Sequence, residues 1–274
     1  MRAHRLLPFV FTGALLPACA PAPVAWTAGD LRERVPALEA DVALARALMT
    51  ALPGAALGDV PLADSAAGAQ IAQEPVCAAS VRAVRAGAQG DGVVWWSARA
   101  DGRAVLRMRS ADTAGTWRAA RAVDTVLARD SIGCQRPSAA IALDARTGWV
   151  HVAYTLVAPE GPGVFYAHQM DPRAPFEPPR VIMYGEGRPA AAVASDGDVV
   201  AVAFENPNDR PTIGLAVSRT GGHLFEPPVR ASSSSVTAVR PRVAVDGDSV
   251  AVGWIEPGAA NAPVTIVVRR GRLR

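Results

Sequence analysis

Short apolar runs and turn residues alternate on a fixed beat from residue 77 to the end of the chain. Arg136-Pro137, Arg188-Pro189 and Arg240-Pro241 stand 52 residues apart each time. Each pair opens an apolar strand, a tight turn and a second apolar strand that finishes on an aromatic. The three copies run Ser138–Leu143 then Trp149–Tyr154, Ala190–Ala194 then Val199–Phe204, and Arg242–Val245 then Ser249–Trp254. Asp196-Gly197-Asp198 and Asp246-Gly247-Asp248 fill two of the turns, and Asp-Gly between alternating strands predicts a hairpin. A weaker copy runs from Cys77 through a turn at Asp91-Gly92 to Trp95-Trp96. Third strands follow at Ala104–Ser110, Gly163–Gln169, Thr212–Ser218 and Val264–Arg270. Three copies then carry an aromatic landmark and a short fourth strand, at Trp117, Phe176 and Phe225. Four antiparallel strands per repeat of about fifty residues is the arithmetic of a β-propeller blade.

Upstream, the period changes. Leu38, Val42, Met49 and Leu52 recur at helical spacing between Pro36 and Pro53-Gly54, which predicts one amphipathic helix over about 36–52. Residues 53–75 are rich in Ala, Gly, Asp and Pro and read as a linker. An extended piece at Leu57–Leu62 within it is suited to pair with a sheet edge.

Arg2, His4 and Arg5 precede the interrupted apolar run Leu6–Leu16, too short to span a bilayer and shaped like a signal segment. Its end, Leu16-Pro17-Ala18-Cys19, resembles the lipobox of bacterial lipoproteins. That resemblance implies cleavage after residue 18, acylation of Cys19 and a palmitate-type membrane anchor in the bacterial cell envelope. The domain plan is then a signal peptide at 1–18, a lipidated spacer with its helix at 19–75, and a repeat body at 76–274. Removing residues 1–18 takes away Arg2 and Arg5 and no acid, so 28 basic against 25 acidic residues become 26 against 25. A net charge of +1 gives no reason to expect nucleic acid as a partner. Of three cysteines, Cys19 is taken by lipid, which leaves Cys77 and Cys134 as a candidate disulfide or as two separate thiols.

The hairpins after the third strands resemble those of the sialidase-like, BNR or Asp-box, propeller superfamily. Ser110-Ala-Asp112-Thr-Ala-Gly115-Thr116-Trp117 matches its Ser-x-Asp-x-Gly-x-Thr-Trp box with the Gly displaced by one position. Ser218-Arg-Thr220-Gly-Gly222-His-Leu-Phe225 keeps Ser, Gly and an aromatic, and His168 to Phe176 keeps the spacing and the aromatic. The resemblance implies an all-β propeller, which in sialidases that cleave closes six blades; the repeats of this chain supply about four, the last lacking a strand. A strand donated from 53–75, self-association and a fragmentary chain are the ways to complete it.

The same resemblance implies a triad of arginines for a substrate carboxylate, a Tyr/Glu nucleophile and an Asp acid/base. Arg136, Arg188 and Arg240 are the candidate anion ligands, since guanidinium forks match carboxylates. Their recurrence with the beat equally fits a role in joining blades. Tyr154 shares the position of Phe204 and Trp254 and reads as a packing aromatic, while Glu205 and Glu256 end equivalent strands. His151, His168 and His223 are scattered, so no metal, no cofactor and no catalytic residue is assigned. The resulting expectation is a non-catalytic module that binds a protein or glycan, with an exo-sialidase as the alternative.

Overall fold

The computed structural model describes residues 22–55, 60–61, 77–85, 90–126, 129–207, 210–260 and 262–274. These form four antiparallel sheets and one α-helix, an all-β, propeller-like array. The first sheet holds Val60–Pro61, Arg82–Arg85, Asp91–Ala98, Ala104–Ala111 and Arg121–Ala122 in that order. The second holds Ala140–Leu143, Val150–Ala158, Gly161–Gln169 and Arg180–Tyr184. The third holds Ala191–Asp196, Val199–Asn206, Thr212–Ser218 and Val229–Arg230. The fourth has Val239–Asp246, Ser249–Glu256 and Val264–Leu273.

Two predicted turns form as read. Asp196 pairs with Val199, and Asp246 with Ser249, across two-residue turns. Gly197 (φ +62°) and Gly247 (φ +56°) take the positive φ at the first turn position. The turn of the weakest copy is misplaced in the sequence reading. Arg85 pairs with Asp91, so the connection precedes Asp91 and Gly92 continues the strand.

The fourth sheet is completed by the N-terminal segment. Val24–Trp26 pairs with Gly271–Leu273, and Leu31–Val35 pairs with Val264–Val268, as one interrupted strand along the free edge of Val264–Leu273. The donated strand therefore comes from 24–35 and not from 53–75. Val60–Pro61 instead pairs with Arg82 and Ala83 in the first sheet. Edge strands left bare template further pairing, and covering them is the physical gain. Three described pieces of the stretch read as spacer, Val24–Trp26, Leu31–Val35 and Val60–Pro61, thus pair into the sheets at the two ends of the array.

Side chains interdigitate between consecutive sheets. Trp96, Leu106 and Met108 meet Ile141, Val152 and Tyr154; Val164 and Tyr166 meet Val193 and Val202; Leu215 and Val217 meet Val243 and Trp254. No hydrophobic cluster of described residues joins the first sheet to the fourth, and the array is not closed into a ring. Helix α1, Ala40–Ala51, covers the outer face of the fourth sheet. Its buried residues are Ala40, Leu44, Ala47 and Leu48, packed on Ala251, Ile255, Ile266 and Val268. The helix falls where the periodicity placed it, but on another face: of the four residues read as its apolar stripe, Leu52 is buried while Leu38, Val42 and Met49 are exposed. The reason is close approach. A Cβ at Gly253 would sit 2.7 Å from Leu44 Cδ1 and 3.3 Å from Leu48 Cγ, so the bare backbone there gives the Leu44–Leu48 ridge a notch to pack into.

Candidate functional site

The recurrent Arg-Pro segments lie where one sheet hands over to the next. Trp96 Nε1 donates to the carbonyl of Pro137 at 2.9 Å, and the Thr155 hydroxyl donates to that of Pro189. Glu205 does the equivalent work one sheet on. Its Oε2 accepts from Ala190 N at 2.9 Å, and its Oε1 accepts from Arg240 N at 2.7 Å. Arg240 is held there at φ +53°, in the left-handed region that non-glycine residues rarely enter.

The three guanidiniums have different surroundings. Arg136 is buried, ion-paired with Asp130 and stacked 5.4 Å from the Trp96 ring centroid. Arg240 reaches Asp41 of α1 at 3.0 Å, both side chains half exposed. Arg188 is exposed and makes no ion pair with the described residues. Glu256 pairs with Arg32 of the donated strand and accepts from Trp254 Nε1 at 3.3 Å. Cys19 lies outside the described residues. Cys77 and Cys134 are joined as a disulfide, Cα atoms 5.0 Å apart.

The tyrosines are committed as well. Tyr154 donates its hydroxyl to Asp124 Oδ2 at 2.6 Å, and both residues are buried. Burial, and then the adjacent Asp124 charge, push this phenol well above its usual value of 10. The Tyr166 hydroxyl shares a 2.6 Å hydrogen bond with His151 Nδ1. Burial drives the His151 pKa down to about 3, so this ring is neutral across physiological pH.

The histidines, scattered along the chain, converge. His168 ends the strand Gly161–Gln169, and Glu177 follows the hairpin beyond it, its N–H bonded to the His168 carbonyl at 2.9 Å. His223 arrives from the hairpin of the third sheet. His168 Nε2 lies 3.4 Å from Glu177 Oε2, and His223 Nδ1 lies 3.5 Å from the same oxygen. The donor atoms of all three fall within 4.8 Å of one another, the geometry of a candidate metal-holding group. His168 is 1% exposed, and its Nε2 has no hydrogen-bond partner. Burial lowers the His168 pKa, and His223 and Arg180 lower it further, while Glu177 acts the other way.

Two glycines put His223 there. Gly221 (φ +64°) rests on the Trp149 ring, where a Cβ would come to 2.5 Å, and Gly222 (φ +94°) rests on Tyr166, where a Cβ would meet the hydroxyl at 1.9 Å. The hairpin is braced by Ser218 Oγ, which accepts from Gly222 N at 3.0 Å, and by Thr220 Oγ1, which accepts from Leu224 N at 2.9 Å. Sequence reasoning missed this convergence. The signal available to it was the phase match of Phe176-Glu177-Pro-Pro with Phe225-Glu226-Pro-Pro, which sets His168 and His223 at the same end of adjacent repeats.

No known protein family matches the chain. No curated protein matches it either. Among solved structures it is similar to a protein of unknown function from Dyadobacter fermentans, at 14% identity and TM-score 0.47, over 67% of this chain and 50% of that one. It is also similar to an α-L-arabinofuranosidase from Podospora anserina, at 11% identity and TM-score 0.38, over 66% and 60% of the two chains. A polysaccharide lyase follows at 7% identity and TM-score 0.32, over 67% and 56%. The chain spans only half to three fifths of these structures, and likenesses of this grade carry no functional argument.

Proposed function

We propose that this chain is an exported, lipid-anchored member of the sialidase-like propeller superfamily that acts as a non-catalytic binding or scaffold module for a protein or a glycan. The observation that carries the reading is the Tyr154–Asp124 hydrogen bond of 2.6 Å between two buried groups. A phenol held this way is spent on joining elements and is unsuited to attack an exposed sugar. Arg136, buried against Asp130 and Trp96, supports the same reading. Export is supported by the Cys77–Cys134 disulfide, since such bonds persist in oxidising compartments. The lipobox at Leu16–Cys19 supplies the anchor in this account. No helix among the described residues is long and apolar enough to cross a membrane. The ligand face would use Arg188 with the exposed Tyr184, a cation and an aromatic in one connection.

The test is turnover of a fluorogenic sialoside by residues 19–274. The reading expects release indistinguishable from the enzyme-free blank. Release that is abolished by Arg188→Ala overturns it in favour of an exo-sialidase.

A further inference from the structure

We propose that His168, Glu177 and His223 bind one divalent transition-metal ion of borderline softness, such as zinc, across the seam between the second and third sheets.

The donor set is two imidazoles and one carboxylate, which suits zinc and its neighbours and not calcium or magnesium. The spacing points the same way. With metal–nitrogen bonds of about 2.0–2.1 Å, adjacent ligand atoms of a tetrahedron sit about 3.3 Å apart. The two distances to Glu177 Oε2 are 3.4 and 3.5 Å, and the two imidazole nitrogens, within 4.8 Å of one another, close onto one ion by an inward shift of His223. A plain hydrogen-bonded latch would draw these atoms to about 2.9 Å. Instead, His168 Nε2 stays buried and without a hydrogen bond, a cost that a metal bond removes.

The surroundings position these ligands. The Tyr166 ring lies 5.6 Å from that of His168, and His151 stacks behind both. His168 and His223 meet edge to face at 4.8 Å between ring centroids. His223 is the adjustable ligand, since it sits on a hairpin with its side chain 39% exposed. Arg180 is the neighbouring cation that a metal must tolerate, and the Glu177 carboxylate offsets it. With Glu177 33% exposed as well, a fourth coordination position opens to solvent.

The test uses residues 19–274 purified without a polyhistidine tag and stripped with a chelator. Zinc titration by calorimetry should give one equivalent per chain. Zinc at a hundredfold excess over its Kd should raise the melting temperature by about 5–10 °C. Cobalt should give the visible absorption of a tetrahedral site. His223→Ala should abolish all three while the metal-free melting temperature stays near that of the parent. Glu177→Gln, nearly isosteric, should weaken zinc by about tenfold or more, and it carries the test if His223→Ala does not fold. The absence of stoichiometric zinc binding overturns the proposal. So does binding that persists unchanged in both variants.

Discussion

The carboxylate of Asp144, at the end of the second sheet's inner strand, accepts a 2.7 Å hydrogen bond from the backbone N–H of Gly197 in the third sheet's turn. Asp196 repeats the relationship one sheet on, accepting from Gly247 N at 2.7 Å. Asp246, next in the series, lies instead beside Gly54, just past α1. The acid that follows the inner strand of the second sheet and the acid that ends that of the third therefore each fasten their sheet to the following one, and at Asp246 the helix end takes the place a fifth sheet would hold. This is why an acid closes each of these inner strands and why Gly197 and Gly247 stand in the turns that receive its bond. The glycine supplies the positive φ and a bare N–H, and the acid serves the neighbour.

Asp144 also accepts from Arg146 N at 3.0 Å, Thr147 N at 2.7 Å and the Thr147 hydroxyl at 2.9 Å. Asp144→Ala should cost about 2–4 kcal/mol by urea unfolding at pH 7, because buried donors lose their acceptor. Burial raises the carboxyl's pKa, but the hydrogen bonds from Thr147, Gly197 and Arg146 bring the net value below 3.8. A depressed folded pKa gives a contribution present above 3.8 and lost as pH falls through the folded value. The gap between parent and variant should hold constant near neutrality and narrow below that pH.

Gly222→Ala should be far more damaging than Gly247→Ala. Both occupy left-handed backbone, but a Cβ at Gly247 meets nothing within 4 Å, whereas one at Gly222 strikes Tyr166. Thermal melting should report about 1–2 kcal/mol for Gly247→Ala, from backbone strain alone. Gly222→Ala should exceed that by about 1–3 kcal/mol, from forced displacement of the packed ring.

The helix and the single 3-10 turn Ala37–Glu39 that leads into it offer a matched pair. Leu44 is fully buried against the fourth sheet and Leu38 is fully exposed. Leu44→Ala should cost about 2–5 kcal/mol, and Leu38→Ala about 0.5 kcal/mol or less, in the same denaturant series. A larger cost at Leu38 than at Leu44 would mean that the segment buries the face its sequence periodicity suggested.

The strands were legible because the Arg-Pro beat and the Asp-Gly turns act locally. Alternation places Val199–Phe204 and Ser249–Trp254 without reference to any partner. What was hidden depends on contacts across the whole chain. Leu31–Val35, Leu-Arg-Glu-Arg-Val, falls in the stretch read as spacer and becomes a strand because the edge of Val264–Leu273 needs a partner. The choice of Leu44 over Val42 for the buried face depends on the notch at Gly253. His168 and His223, 55 residues apart, meet because successive repeats set equivalent hairpins side by side.

The central proposal, that the chain is exported and lipid-anchored with its repeat body fastened by the Cys77–Cys134 disulfide, is tested most directly by intact mass. The protein would be extracted from the cell envelope in detergent, without reductant. The account predicts a chain beginning at Cys19, heavier by its acyl groups and lighter by two hydrogens for the Cys77–Cys134 bond. A chain that retains residues 1–18, or one with free thiols at Cys77 and Cys134, would contradict it.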